Sequence, residues 1–217
     1  MNLASKRSVT VVAGLSGYGK NTFLLRFLVN AKLSARFLFD PDPGEFDPDV
    51  GEFAQRLQLD PTCDAYDLAL HLTRPGGWQC FDPHTLFRGR PDDAVNFFCD
   101  YAYEKSLVLP GEKAIVIDEV WKYCSAQKIP EGIRAVALSG RKARLQLFVN
   151  TQEPQRLNDT FKAGCSEVVC FRLQSDKQLG FAREMGFDAE EVAALPPLSF
   201  VARNLDTGGE IRHTIKV

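Results

Sequence analysis

Residues Val9–Asn30 read "VTVVAGLSGYGKNTFLLRFLVN". The apolar, β-branched run at its start predicts a buried strand. The run from Lys20 onward carries Phe23, Leu24, Phe27 and Leu28 at helical spacing, so a helix follows. Between them lies G-x-x-x-x-G-K, from Gly14 to Lys20. Gly14, Gly17 and Gly19 permit positive φ and let backbone N–H groups approach an anion closely. The helix N-terminus points at the same place. A phosphate-binding loop of the Walker A type is therefore expected. Its nucleotide contacts would come from Gly14, Leu15, Ser16, Gly17, Tyr18, Gly19, Lys20, Asn21 and Thr22. One letter departs from the pattern. Asn21 stands where a Ser or Thr hydroxyl normally meets Mg²⁺. An amide oxygen can also ligate a hard cation, from one bond further out, and Thr22 would serve only if the helix start shifted.

Outward from that loop, the chain alternates apolar strands with helical stretches. "ARFLFD", "WQCFD", "EKAIVIDEV", "LQLFVNTQE" and "SEVVCFRL" read as strands. "PDDAVNFFCDYAYEKSLV", "EGIRAVALSGRKA", "SDKQLGFAREMG" and "FDAEEVAALP" read as helices, the third with Ser175 as its N-cap. "PDPGEFDPDVGEF" reads as a loop. "VGEFAQRLQL" and "AYDLALHLT" read as short helices or irregular packing. The end, "LSFVARNLDTGGEIRHTIKV", reads as a hairpin turning at "DTGG". This pattern predicts an α/β fold: a mostly parallel sheet with helices on both faces and a C-terminal β-hairpin. Ligands of such sheets bind beyond the carboxyl ends of the strands. The polar residues fall there: the glycine loop, Asp40, Asp118–Glu119 and Thr151–Gln152.

Composition narrows the functional classes. The chain has 217 residues and 45% hydrophobic content, which suits one domain spanning 1–217. Its formal net charge of −2 argues against a free-standing nucleic-acid binder but leaves room for a ring with a basic pore. No segment nears the roughly 18 apolar residues of a membrane span. The six cysteines form no C-x-x-C pair and read as buried reduced thiols. His71, His84 and His213 are isolated and suggest no zinc site.

Three further stretches carry chemistry. "AIVIDEV" is a Walker B pattern: a buried strand presents Asp118, expected to hold Mg²⁺, and Glu119, expected to polarise the attacking water. The second acid favours ATP hydrolysis over small-molecule phosphorylation. "LFVNTQEP" ends at Gln152, whose amide could sense the γ-phosphate. "SGRKARL", with Arg134 upstream, gathers Arg141, Lys142 and Arg144. One of these could stabilise phosphoryl-transfer charge in a neighbouring subunit, or the group could be a solvated helix end.

Glycine loop, "IVIDEV", "GRKARLQLFVNTQEP" and "CFRLQSDKQLGFARE" together resemble the FtsK–HerA superfamily of P-loop motors. "FLFDPDPGEF" is similar to that family's D-P-x-G-E stretch, matching Asp40 and Glu45. The resemblance covers most of the chain and is nearest to the genome-packaging ATPases of tectivirus-type phages and double-jelly-roll viruses. It implies a RecA-like P-loop NTPase fold, ATP and Mg²⁺ as cofactors, and Lys20, Glu119, Gln152 and Arg141 as catalytic residues, with Arg141 acting in trans. Asn21, Thr22 and Asp118 form the implied metal set. It further implies a homo-oligomeric ring, a hexamer favoured, that moves double-stranded DNA. Capsid vertex proteins would be partners, and the location would be the virion or the host cytoplasm. The loop "DPHTLFRGRP", with His84, Arg88 and Arg90, is the candidate DNA contact. The alternatives are a Zot-like phage morphogenesis ATPase, a small-molecule P-loop kinase, and a nucleotide-binding module whose hydrolysis Asn21 has impaired.

Overall fold

Val9–Ala13 forms β1, a strand buried along its whole length. The computed structural model describes residues 9–39, 54–58, 78–82, 87–125 and 127–216. The other strands are β2 (Ala35–Phe39), β3 (Ala54–Gln58), β4 (Trp78–Asp82), β5 (Lys113–Ile117), β6 (Leu145–Thr151), β7 (Cys165–Cys170), β8 (Ser199–Asn204) and β9 (Glu210–Thr214). The helices are α1 (Lys20–Asn30), α2 (Pro91–Val108), α3 (Glu131–Ser139), α4 (Asp159–Gly164), α5 (Asp176–Glu184) and α6 (Ala189–Ala194). One sheet holds all nine strands in the order β3-β4-β2-β5-β6-β1-β7-β8-β9. Pairing is parallel from β3 through β7 and antiparallel for β7–β8 and β8–β9. This is the architecture expected from the sequence, hairpin included.

Strand alternation sorts the core into two layers. Val9, Val11 and Ala13 of β1, with Ile115, Ile117, Leu147 and Val149, face a layer built by α2 to α5, through residues such as Val95, Phe98, Ile133, Val136, Phe161 and Phe181. Val12, Val116 and Phe148 face the other side, where Leu24, Leu25 and Leu28 of α1 cover them. The apolar spacing of α1 thus seats the glycine-loop helix directly on the central strands.

Two buried cations close helix ends. Arg36 is 7% exposed and donates to the carbonyls of Leu28 (2.8 Å), Ala31 (2.8 Å) and Leu33 (3.2 Å), at and just past the end of α1. Lys113 is 2% exposed, and its Nζ donates to Leu109 O at 2.9 Å, just past α2. Carbonyls left unpaired at a helix C-terminus, and the negative end of its dipole, both favour a cation there. A third device serves α3, which has no local side-chain cap. Asn96 of α2 accepts from Gly132 N at 2.8 Å, and a Cβ on Gly132 would come within 2.9 Å of the Asn96 backbone.

One sequence expectation is corrected. "VGEFAQRLQL" does not form a helix: Ala54–Gln58 is the outermost strand, paired in parallel with β4 alone. Its Ala, Gln, Arg and Leu favour a helix intrinsically, and pairing with a waiting strand edge overrides that preference. The short helix α4 escaped the sequence reading. "AYDLALHLT", Asp40, Glu45, Cys63, His71 and His84 lie outside the described residues. Cys99, Cys124, Cys165 and Cys170 are free and buried, as expected. Burial pushes the Cys124 thiol up to about 12, and those of Cys99 and Cys170 are also raised by burial.

Replacing Arg36 with Met keeps the chain length but removes all three donors. We expect a loss of about 3 kcal/mol in urea unfolding, with an unchanged m-value. A loss below about 1 kcal/mol would show that the cap is dispensable.

Candidate active site

The glycine loop is tied down on both sides. Gly14 N donates to Thr151 O (3.2 Å) on β6, and Leu15 N donates to Arg172 O (3.0 Å) just past β7. A Cβ on Gly14 would sit 2.5 Å from Phe171 Cβ, so this close approach requires glycine. Gly17 (φ 75°) and Gly19 (φ 103°) take left-handed conformations, and Gly19 caps α1, which starts at Lys20. The helix start therefore has the register that points Asn21 at the sheet. Lys20 is buried and donates to Leu15 O at 3.1 Å.

Leu198, at the root of the hairpin, braces the loop from outside. Its N donates to Tyr18 O (3.0 Å), and its own φ is 63°. A non-glycine residue in that region costs about 1–2 kcal/mol, which the surrounding contacts must offset. Arg172 braces the loop a second time: its guanidinium stacks on the Tyr18 ring (5.9 Å) and donates to the Tyr18 hydroxyl (3.4 Å).

β6 lies between β1 and β5, so its polar end falls between the loop and the acids. Asp118 and Glu119 are 1% and 4% exposed. Glu119 has φ 44°, leading into a 3₁₀ turn over Val120–Lys122. Its carboxylate accepts from Gln152 Nε2 (2.6 Å), Gln152 N (3.3 Å) and the Trp121 indole N–H. Arg156 covers the Trp121 ring at 5.4 Å. Gln178 of α5 holds Gln152 in turn, donating to its backbone oxygen at 2.8 Å while accepting from Gln174 N and Ser175 N. Asn150 Nδ2 donates both to Asn21 Oδ1 (2.6 Å) and to Asp118 Oδ1 (2.5 Å).

A cleft of about 210 Å³ opens here, lined by Ser16, Gly17, Gly19, Lys20, Asn21, Thr22, Glu119, Asn150, Gln152 and Leu198. It brings together most of the residues expected from sequence. Gly14, Leu15, Tyr18 and Asp118 stand behind or beside its wall. Arg141 is separate. It is exposed in a 3₁₀ turn (Gly140–Ala143) before β6, while Gln152 follows the other end of that strand. Seven strand residues span roughly 20 Å. Arg141 therefore cannot reach the cleft of its own chain. Arg88 and Arg90 are also exposed, with Arg90 paired to Asp93 at 3.5 Å.

Asn150, Trp121, Gln178 and Leu198 are the site residues that sequence reasoning passed over. Only Asn150 carried a usable signal: it continues the pleat face of Phe148, which packs toward α1. The donor set fits a hard divalent cation. It consists of the Asp118 carboxylate, the Asn21 amide oxygen and the Asn150 Oδ1, a buried atom with no hydrogen-bond partner.

No family model matches the sequence, and no curated protein matches it. Solved structures do. The genome-packaging NTPase B204 of Sulfolobus turreted icosahedral virus 2, in complex with AMPPCP, superposes with a TM-score of 0.72 at 16% identity, covering 97% of this chain and 98% of that one. VirB4 of Thermoanaerobacter pseudethanolicus follows at 0.66 and 13%, covering 97% and 89%. The bacterial conjugative coupling protein TrwBΔN70 gives 0.60 and 11%, covering 97% and 84%. This chain has their fold. It is a RecA-like P-loop NTPase fold, and the similarity to B204 runs nearly end to end in both proteins.

The two glycines of the loop are separable by experiment. A Cβ on Gly19 would meet Leu198 Cδ2 at 2.7 Å, whereas one on Gly17 would meet nothing within 4 Å. Gly17→Ala then carries only the backbone penalty, about a tenfold loss in affinity for a fluorescent ATP analogue. Gly19→Ala should lose clearly more, because Leu198 must also move. Equal losses would show that Leu198 does not constrain the loop.

Proposed function

We propose that this chain is an ATPase of the genome-packaging type, which couples ATP hydrolysis to movement of double-stranded DNA into a viral capsid. The observation that carries the reading is the single cleft shared by Lys20, Glu119 and Gln152, with Asp118 at its wall. It lies in a fold shared almost end to end with a packaging NTPase. Packing of Lys20, two acids and a polar strand end around one cavity is the arrangement phosphoryl transfer requires.

In this reading the loop amides of Gly14–Gly19 and the Lys20 ammonium cradle the β- and γ-phosphates. Asp118 and Asn21 would hold Mg²⁺, which neutralises phosphate charge when bound. Gln152 gives its side-chain N–H to the γ-phosphate and so lets go of Glu119 Oε1. Trp121 keeps the other carboxylate oxygen in place. Glu119 Oε1 then accepts the proton of the attacking water. Arg141 lies a strand's length from its own cleft, so its catalytic role is played at the site of a neighbouring copy. That role, in turn, implies a homo-oligomeric ring, for which we favour six subunits. DNA would pass through the ring, and the capsid vertex would hold it, with the protein in the virion or the host cytoplasm. The Zot-like and kinase readings find no observation of their own in this structure. A nucleotide-binding module without hydrolysis is favoured only by Asn21.

Two measurements test the reading. Glu119→Gln should lower kcat about 100- to 1,000-fold while leaving ATP-analogue affinity unchanged. Full turnover in that variant removes Glu119 as the base. Lys20→Ala and Arg141→Ala should each be inactive alone, and mixing them should restore activity, because a mixed ring contains sites with an intact Lys20 and an intact neighbouring Arg141. No recovery on mixing contradicts the trans arrangement.

A further inference from the structure

We propose that Asn150 is a protein ligand of the divalent-cation site, paired with Asn21 as a compensated substitute for the usual hydroxyl. This rests on the reading above that Asp118 and Asn21 hold the cation. Asn150 sits on β6 one pleat beyond Phe148, on the face that α1 covers, and is 1% exposed. Its Nδ2 stands between two oxygen acceptors, Asn21 Oδ1 and Asp118 Oδ1. A group of partial positive charge thus occupies the position where oxygens converge, which is where a cation would be favoured. The Oδ1 of the same amide is buried without a hydrogen-bond partner. Buried polar atoms are rarely left this way in folded proteins, and an orphaned acceptor calls for a ligand.

Rotation of the amide about its last side-chain bond exchanges these two atoms. It turns a donor that bridges two ligands into a third oxygen ligand, and it breaks no bond made by Oδ1. Asn21 holds its oxygen one bond further from the helix than a Ser or Thr hydroxyl would. Its contact with Asn150 shows that the extra length is taken up by a partner on β6. The resulting set holds two amide oxygens and one carboxylate. Among the described residues no group of three or more His, Cys, Asp or Glu could hold a metal. A site with one formal negative charge and only oxygen donors selects hard cations and depends on nucleotide phosphates for its affinity.

The test measures Mn²⁺ binding directly, by the loss of the free-ion EPR signal, on the full chain in the presence of AMPPCP. Asn150→Ala should weaken Mn²⁺ binding about tenfold or more. AMPPCP affinity in EDTA should stay within about twofold of the native protein. Asn21→Thr restores the hydroxyl, so adding Asn150→Ala in that background should cost much less; the two positions are coupled. Asn150→Asp, which keeps the side-chain shape, should tighten Mn²⁺ binding, and this arm decides the matter if the alanine variant does not fold. Native-like Mn²⁺ affinity in both Asn150 variants overturns the assignment. An equal loss from Asn150→Ala in the two backgrounds overturns the pairing with Asn21. If the native protein with AMPPCP takes up no Mn²⁺, the cation reading of Asp118 and Asn21 fails, and this inference falls with it.

Discussion

The parallel insertion of β6 between β1 and β5 is the constraint on which the site depends. Its register pairs Ala13 with Thr151 on one side and Ile117 with Val149 on the other. The last paired residues of three strands therefore stand nearly level, and whatever follows each strand meets at one place. Gly14 follows β1, Asp118 and Glu119 follow β5, and Gln152 follows β6. Because alternate residues face opposite layers, Asp118 and Asn150 both point to the α1 side, where Asn21 waits. A register slip of one residue would reverse every facing and scatter the group.

Unusual backbone collects around the same cleft. Gly17 and Gly19 in the loop, Glu119 after β5 and Leu198 at the root of the hairpin all have positive φ. Such conformations persist only where neighbours over-determine them. Here the neighbours are one another: Leu198 N holds Tyr18 O, and Gln152 holds Glu119 through two donors. Gln178 extends the chain of contacts to the N-terminus of α5. Phosphate loop, base and sensor are thus linked to two different elements of the fold, which is how a change at the γ-phosphate can be transmitted outward.

Much of this could be read from the sequence because it is local. β1, the glycine loop and α1 follow one another directly, and Asp118–Glu119 end a strand whose apolar run is unambiguous. Gln152 was visible for the same reason. Ser175 was legible as an N-cap, and its box with Gln178 is present. The separation of Arg141 from Gln152 was also legible, since a whole strand divides them. β3 was not legible, because "AQRLQ" has no strand preference and is held by its partner. Trp121 and Gln178 look like ordinary helix-turn residues until the fold sets their side chains beside Glu119 and Gln152. Leu198 is 178 residues from Lys20 by simple numbering, about as far apart as two contacting regions in this chain can be. Asn150 lies between these cases. The pleat predicted its direction, but only the structure shows Asn21 as its partner.

The most direct test of the account is a crystal structure of the chain grown with AMPPCP and Mn²⁺, using anomalous scattering to locate the metal. The account predicts the triphosphate over Gly14–Lys20, the γ-phosphate beside Gln152, and one Mn²⁺ between the phosphates, Asp118 and Asn21. Nucleotide bound outside this cleft, or a metal remote from Asp118, would contradict it.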